Sequence, residues 1–135
     1  MSCLFCRIVA KEIPVTVIYE DDETFAFLDN QPVNPGHTLV LPKKHTEDLC
    51  TCEPEVFASL SRAAQRIACA MKKSLQLEGI NLIQNTGVAA GQSIFHLHLH
   101  LIPRHAGDGL APWRGTPYAT ADEATSLAQK IREEL

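Results

Sequence analysis

Apolar positions along this 135-residue chain recur with two periods, and each change of period marks an element. After Pro54, the residues Val56, Leu60, Ala63, Ala64, Ile67, Met71 and Leu75 fall at helical spacing. The pattern predicts one long helix, with Pro54 in its first turn and Gly79 as its stop. Ala124, Leu127, Ala128, Ile131 and Leu135 repeat the spacing near the end. They follow Thr120-Ala121-Asp122-Glu123, which has the form of a capping box, so a second helix is expected there. Short apolar or alternating runs predict strands over 15–19, 24–29, 37–41, 80–84 and 95–102. Glu20-Asp21-Asp22-Glu23 turns the first strand into the second, and Asn34-Pro35-Gly36 leads into the third. Residues 3–10 suit a short helix or turn before Pro14. Three strands, a long helix, two strands and a last helix imply an α+β fold around an antiparallel sheet.

The run 95–102 carries more than a strand signal. In an extended chain Phe95, Leu97, Leu99 and Leu101 line one face, and His96, His98 and His100 line the other. Neighbouring histidines then stand about 6–7 Å apart, two rises of the strand. An ordinary solvated face would carry Thr, Lys or Glu, so this row is read as a site. Imidazole serves metals, proton transfer and nucleophilic attack alike. A zinc ion can gather residues i and i+2, but residues i and i+4 lie too far apart for bonds of about 2.0–2.1 Å. At least one histidine is therefore free for other work. Just upstream, residues 85–93 form a loop of small and polar residues whose glycines let backbone N–H groups approach an anion. Histidines facing such a loop suggest phosphoryl or nucleotidyl chemistry. Cys3-x-x-Cys6 signals zinc or redox chemistry; a redox role would want it after a strand, and a closed zinc site would need two more ligands.

Composition narrows the setting. The chain is 45% hydrophobic and 21% charged, ordinary for one globular domain. Its net charge of −4, with no basic cluster beyond Lys43-Lys44 and Lys72-Lys73, argues against a nucleic-acid surface. No apolar run approaches the roughly 18–20 residues of a membrane span, and the N-terminus lacks a secretory pattern. Five cysteines without such a signal fit a reducing cytoplasm, so a cytoplasmic protein is expected.

Gly91-Gln92-Ser93-Ile94-Phe95-His96-Leu97-His98-Leu99-His100 resembles the signature of the histidine-triad (HIT) family of nucleotide hydrolases and transferases. So do Cys3-Leu4-Phe5-Cys6-Arg7-Ile8, Phe27-Leu28-Asp29, the stretch 35–45 around Pro35-Gly36-His37-Thr38-Leu39, and Ile102-Pro103-Arg104. The resemblance runs over about 3–104 of a single domain spanning 1–135, leaving 105–135 as a C-terminal extension and helix. It implies a five-stranded antiparallel sheet with one main helix, and a two-fold homodimer. It implies catalytic roles for His98, His100, His37 and Ser93. His98 would attack the α-phosphorus of a purine nucleotide derivative, a phosphoramidate or a dinucleoside polyphosphate, through a nucleotidyl-histidine. His100, if protonated, would stabilise charge on the phosphate, Ser93 would bond the leaving group, and His37 would stand near the nucleophile. Asn85 and the backbone of Gly91, Gln92 and Ser93 would hold phosphate, Asp29 the ribose hydroxyls, and Phe5, Ile8 and Phe27 the base. Cys3, Cys6, His45 and His96 match the ligands of one structural zinc per chain.

The sequence around Arg104 resembles both the zinc-bearing bacterial branch and dinucleoside-polyphosphate hydrolases. Arg104 either meets distal phosphates or lies exposed. Trp113 reaches a pocket or a partner, or packs on its own subunit. Cys50 and Cys52 show no ligand pattern, and Cys69 is expected in the helix core. Two other readings stay open: a nucleotide-binding scaffold with little turnover, and an open zinc hydrolase without a covalent step.

Overall fold

The computed structural model describes residues 3–135. Helix α1 (Leu4–Val9) leads into strands β1 (Val17–Glu20), β2 (Thr24–Leu28) and β3 (Thr38–Pro42). Helix α2 (Pro54–Ser74), strand β4 (Gly79–Ile83), a single 3₁₀ turn at Val88–Ala90, strand β5 (Leu99–Arg104) and helix α3 (Ala121–Glu133) follow. The five strands form one sheet in the order β1-β2-β3-β5-β4, every neighbouring pair antiparallel. The expected α+β architecture is the one observed.

Both faces of this sheet are covered. Helix α2 lays Leu60, Ala63, Ala64, Ile67 and Met71 on one face, against Ala26, Val40, Leu97, Leu99 and Leu101. Helix α1 places Phe5 and Ile8 on the other, against Phe25, Phe27, Leu39 and Leu41. That is why β2 and β3 read as continuous apolar runs, although an antiparallel strand with one wet face would alternate. Each fully buried Leu or Phe in these two layers contributes about 1.5–3 kcal/mol.

Three expectations about elements are corrected. The last strand begins at Leu99 and not at 95. Its pairing with β3 runs as far as Val40 opposite Leu99, and two steps on, Leu97 would meet Pro42, which has no N–H to donate and whose carbonyl accepts from the His96 ring. Leu97 N–H turns instead to the Thr46 carbonyl at 2.7 Å. Alternation still holds from Leu97 to Leu101, but Phe95 is exposed. Helix α2 stops before Gly79: Leu75 is its cap, Gln76 takes the left-handed turn at φ +53°, and Gly79 opens β4. Cys69 lies on the solvent side of α2, not in the core.

The C-terminal helix is regular and capped. Thr120 Oγ accepts from Glu123 N–H, and the Glu123 carboxylate accepts from Ala119 N–H. Yet α3 buries none of its side chains, and from residue 109 onward only Ala124 and Ala128 are even half-buried. Trp113 is 89% exposed, so it does not pack on its own subunit. Among the described residues no helix is long and apolar enough to cross a membrane.

Candidate active site and metal centre

On the α1 face of the sheet the histidines sit in a ladder of fixed tautomers. A carbonyl only accepts, so the 2.7 Å contact between His98 Nδ1 and its neighbour's backbone oxygen at His96 places the ring proton on Nδ1. Nε2 of His98 then carries a lone pair. It has no protein partner, and among the described residues no buried polar side-chain atom lacks one, so Nε2 opens to solvent. His100 is set by a relay. Val33 N–H donates to His37 Nδ1 at 3.1 Å, which leaves the neutral ring's proton on Nε2 to donate to His100 Nδ1 at 2.9 Å. His100 is left with an Nε2–H donor. Asp29 stands beside this relay, Oδ2 at 3.8 Å from His37 Nε2, while Oδ1 accepts from Gln31 N–H.

These groups share a cleft of about 660 Å³. Phe5, Ile8, Phe27, Asp29, Ser93, His98 and His100 all line it. Phe5 meets the His98 ring edge-on, with centroids 5.0 Å apart. Leu4, Ile13, Val15, Leu39 and Ile94 complete the apolar wall, and nothing in the sequence sets them apart from core residues. His37 is buried behind His100, outside the cleft.

The expected phosphate loop is built differently from expectation. Gly91 N–H donates to the Val88 carbonyl and Gln92 N–H to that of Gly87, so neither is free for an anion. Gly87 and Gly91, at φ +90° and +97°, supply the left-handed corners this tight loop needs. The buried Gln92 side chain is a staple: it accepts from Gly87 N–H and donates to the Glu47 and Ile94 carbonyls. It ties the Ser93 loop to the segment carrying His45. Asn85 lies outside the cleft lining, but the β4–β5 register, Ile83 opposite His100, leads on to Asn85 opposite His98. Arg104 is partly exposed, its side chain 25% open to solvent, and its guanidinium is engaged by protein groups. Its guanidinium holds the Asp108 carboxylate at 2.8 and 3.1 Å, Asn81 and the Leu110 carbonyl, pinning the 105–110 turn.

Below the cleft a second cluster forms. Cys3 Sγ, Cys6 Sγ, His45 Nδ1 and His96 Nδ1 all lie within 4.8 Å of one another. His96 Nδ1 is 3.5 and 3.6 Å from the two sulfurs, and His45 Nδ1 is 3.3 Å from Cys6. A tetrahedral zinc with bonds of about 2.3 Å to sulfur and about 2.0–2.1 Å to nitrogen separates such ligands by about 3.5 Å. His96 is also in the ligating tautomer, because its Nε2–H donates to the Pro42 carbonyl at 2.7 Å. Burial and the neighbouring Cys3 push the Cys6 thiol above its ordinary value, an effect a cation between them reverses. The donor set fits one zinc-like ion with no position left open. Asp29, His37 and His100 also gather, but the facing nitrogens of the two rings already bond each other.

The family model for the HIT domain matches residues 10–107. The chain belongs to the HIT family. A HIT family protein of Bacillus subtilis has a crystal structure with a TM-score of 0.93 to this chain at 36% identity, covering 100% of this chain and 98% of its own. A zinc-bound histidine triad family protein of Mycobacterium smegmatis is 41% identical, with a TM-score of 0.78 over 98% of each chain. The adenylylsulfatase HINT3 of Arabidopsis thaliana is 41% identical over 99% of this chain and 70% of its own length. The HIT match starts after Cys3 and Cys6 and stops before α3, while His45 and His96, the other two members of the metal cluster, lie within it.

The HIT histidines are held neutral. Burial lowers His37, His96, His98 and His100, and the nearby His98 and His37 help bring His100 to about 4. At neutral pH His100 is thus an uncharged donor in the free protein, not an imidazolium. An unfolded histidine binds its proton near the ordinary 6.5, whereas folded His100 does so only near 4. Between those values the unfolded chain holds more protons, so this stability is complete above about 6.5 and drains away as the pH falls towards 4. Thermal unfolding followed from pH 7.5 to 4 should therefore lose less in His100→Asn than in the unaltered protein. Parallel curves would refute the neutral assignment.

Proposed function

We propose that this HIT protein is a nucleotidyl hydrolase acting at the α-phosphate of purine nucleotide derivatives. The observation that carries the reading is the Nε2 lone pair of His98, fixed by the His96 carbonyl at 2.7 Å and open to an apolar cleft. That lone pair attacks the α-phosphorus, an N–P bond forms, and the bond to the leaving group breaks with its electron pair on the departing atom. Ser93, on the cleft wall, donates a hydrogen bond to that atom, and a proton from water completes it. The ring now bears positive charge, which the His96 carbonyl at Nδ1–H stabilises. His100 Nε2–H bonds a non-bridging oxygen as charge develops there. Water then attacks phosphorus, the N–P electrons return to Nε2, and a proton passes to solvent. Asp29 accepts from the ribose hydroxyls, and Phe5, Ile8 and Phe27 hold the base.

Cys3, Cys6, His45 and His96 hold one structural zinc per chain. It supplies cross-linking and no Lewis acidity to the substrate, since four protein ligands close its shell. Two copies form a homodimer, for which the open edge of β4 with exposed Leu82 offers a pairing surface.

The test is release of AMP from adenosine phosphoramidate, adenylyl sulfate and diadenosine polyphosphates by the purified protein. Release from at least one of them, with the fastest defining the leaving group, is the expected result. Tight binding of AMP with no release from any would replace the hydrolase with a nucleotide-binding scaffold.

A further inference from the structure

Ser93 has no anchor of its own. It stands exposed on the cleft wall, and among the described residues its hydroxyl makes no hydrogen bond. No backbone N–H from Ser93 to His96 donates to the protein either. Two ties bracket this stretch. On the far side, Leu97 N–H meets the Thr46 carbonyl at 2.7 Å. On the near side stands the side chain of Gln92, an amide that is only 4% exposed.

Every polar atom of that amide is engaged by backbone. Oε1 accepts from Gly87 N–H at 2.8 Å, and Nε2 donates to the Glu47 carbonyl at 2.8 Å and the Ile94 carbonyl at 3.2 Å. A primary amide carries two donor hydrogens beside its acceptor oxygen, so both donors and the acceptor are satisfied. The bond to Ile94 passes over one residue, and that residue is Ser93. The amide therefore closes a small ring around Ser93. Its bonds to Gly87 and Glu47 clamp the ring to the start of the loop and to the 45–47 segment. Burying an amide costs free energy unless its bonds are made, and an apolar side chain would fill the space without that cost. What the amide adds is direction.

We propose that Gln92 is the positioning residue for Ser93, its amide fixing Ser93 Oγ where the leaving atom departs from phosphorus. The assignment rests on the hydrolase reading above and deepens it. His98 is set separately, with Nδ1–H on the His96 carbonyl at 2.7 Å and its ring edge-on to Phe5. Loss of the amide thus frees Ser93 without moving the nucleophile. Hydrogen bonds weaken steeply as their angle closes, so a hydroxyl that is present but badly aimed stabilises little. The effect falls on one step. A basic leaving atom needs the hydrogen bond, a weakly basic one departs without it, and the later attack of water follows when the leaving group has gone.

The experiment follows single turnovers of two AMP derivatives by the full metal-containing chain and by its Gln92→Met, Ser93→Ala and doubly substituted forms. One substrate is the p-nitrophenyl ester, whose phenolate leaves unaided, and the other is adenosine phosphoramidate, whose nitrogen must gain a proton. Gln92→Met should slow the phosphoramidate about 10²-fold, the range for one preorganised donor, and the ester less than about threefold. Ser93→Ala should show the same split. The double form should be no slower than Ser93→Ala, because both changes remove one interaction, and this cycle decides on whichever substrate the protein accepts. Gln92→Glu keeps the acceptor and, with its buried carboxyl protonated opposite two carbonyls, one donor, so it should restore the phosphoramidate rate to within about tenfold. If thermal unfolding shows that Gln92→Met does not fold, Gln92→Glu carries the comparison with a smaller split. Equal slowing of both substrates, or losses that multiply in the double form, would mark a purely structural amide and overturn the assignment alone. An unaltered protein inert towards both substrates overturns the hydrolase reading and the assignment with it.

Discussion

His98→Ala will bind AMP and retain its metal, but will release AMP from nucleotide substrates at least about 10⁴-fold more slowly, as for loss of a nucleophile elsewhere. The size of the effect follows from where the ring stands. Nδ1–H is tied to the His96 carbonyl at 2.7 Å, Phe5 abuts the ring edge, and only Nε2 faces the cleft. No neighbour can replace it: His96 is turned to the sulfurs, and His100 presents an N–H rather than a lone pair. The loss belongs in kcat, because Asp29 and the apolar wall, proposed above to hold the nucleoside, are untouched. Single-turnover kinetics with the best substrate check this, alongside thermal unfolding and metal content to show an intact fold. His98→Gln, which keeps more of the volume against Phe5, guards against a packing artefact. Turnover within tenfold of the unaltered protein in either variant would remove the covalent step. Hydrolysis by a water directly at phosphorus would then have to carry the reaction.

Much of this was legible before the fold, and the reasons differ by residue. The long helix showed because its stripe has a sharp period, and the triad showed because alternation at period two forces three imidazoles onto one face. The cleft members Phe5, Ile8, Phe27 and Asp29 were reached through resemblance, since an apolar residue in α1 or β2 is chemically indistinguishable from core. Backbone groups were out of reach. The Pro42 and His96 carbonyls and the Val33 N–H set three ring tautomers, and no side-chain pattern announces them. The same blindness applies at Gly91 and Gln92, whose N–H groups were expected to face an anion and which close a turn in this structure. Arg104 was left between two readings for a related reason: its three partners, Asn81 on β4 and Asp108 and Leu110 in the 105–110 turn, are brought together only by the fold. In α3 the helix was correct, but its apolar stripe says that a face wants cover and not what supplies it.

Metal analysis of protein purified without chelator will find one zinc per chain, and its removal will loosen α1 before it stops chemistry. Helix α1 has six residues, too few to persist alone in water. Its position depends on Phe5 and Ile8 in the core and on Cys3 and Cys6 at the cluster with His45 and His96. A ligand present at 1,000 times its dissociation constant stabilises the folded state by about 4 kcal/mol, so chelation should lower the melting temperature by roughly 10 °C for a chain of this length. Cys3→Ser and Cys6→Ser should each do nearly the same without chelator. Because Phe5 and Ile8 form the wall of the cleft, the metal-depleted protein should show a raised KM before kcat falls. His98 keeps its place on β5's approach through backbone bonds that the metal does not make. Loss of activity should track the slow release of metal and the melting of α1, followed by circular dichroism. Immediate loss of turnover on adding chelator, with the melting temperature unchanged, would instead assign the metal an open coordination position and a direct part in hydrolysis.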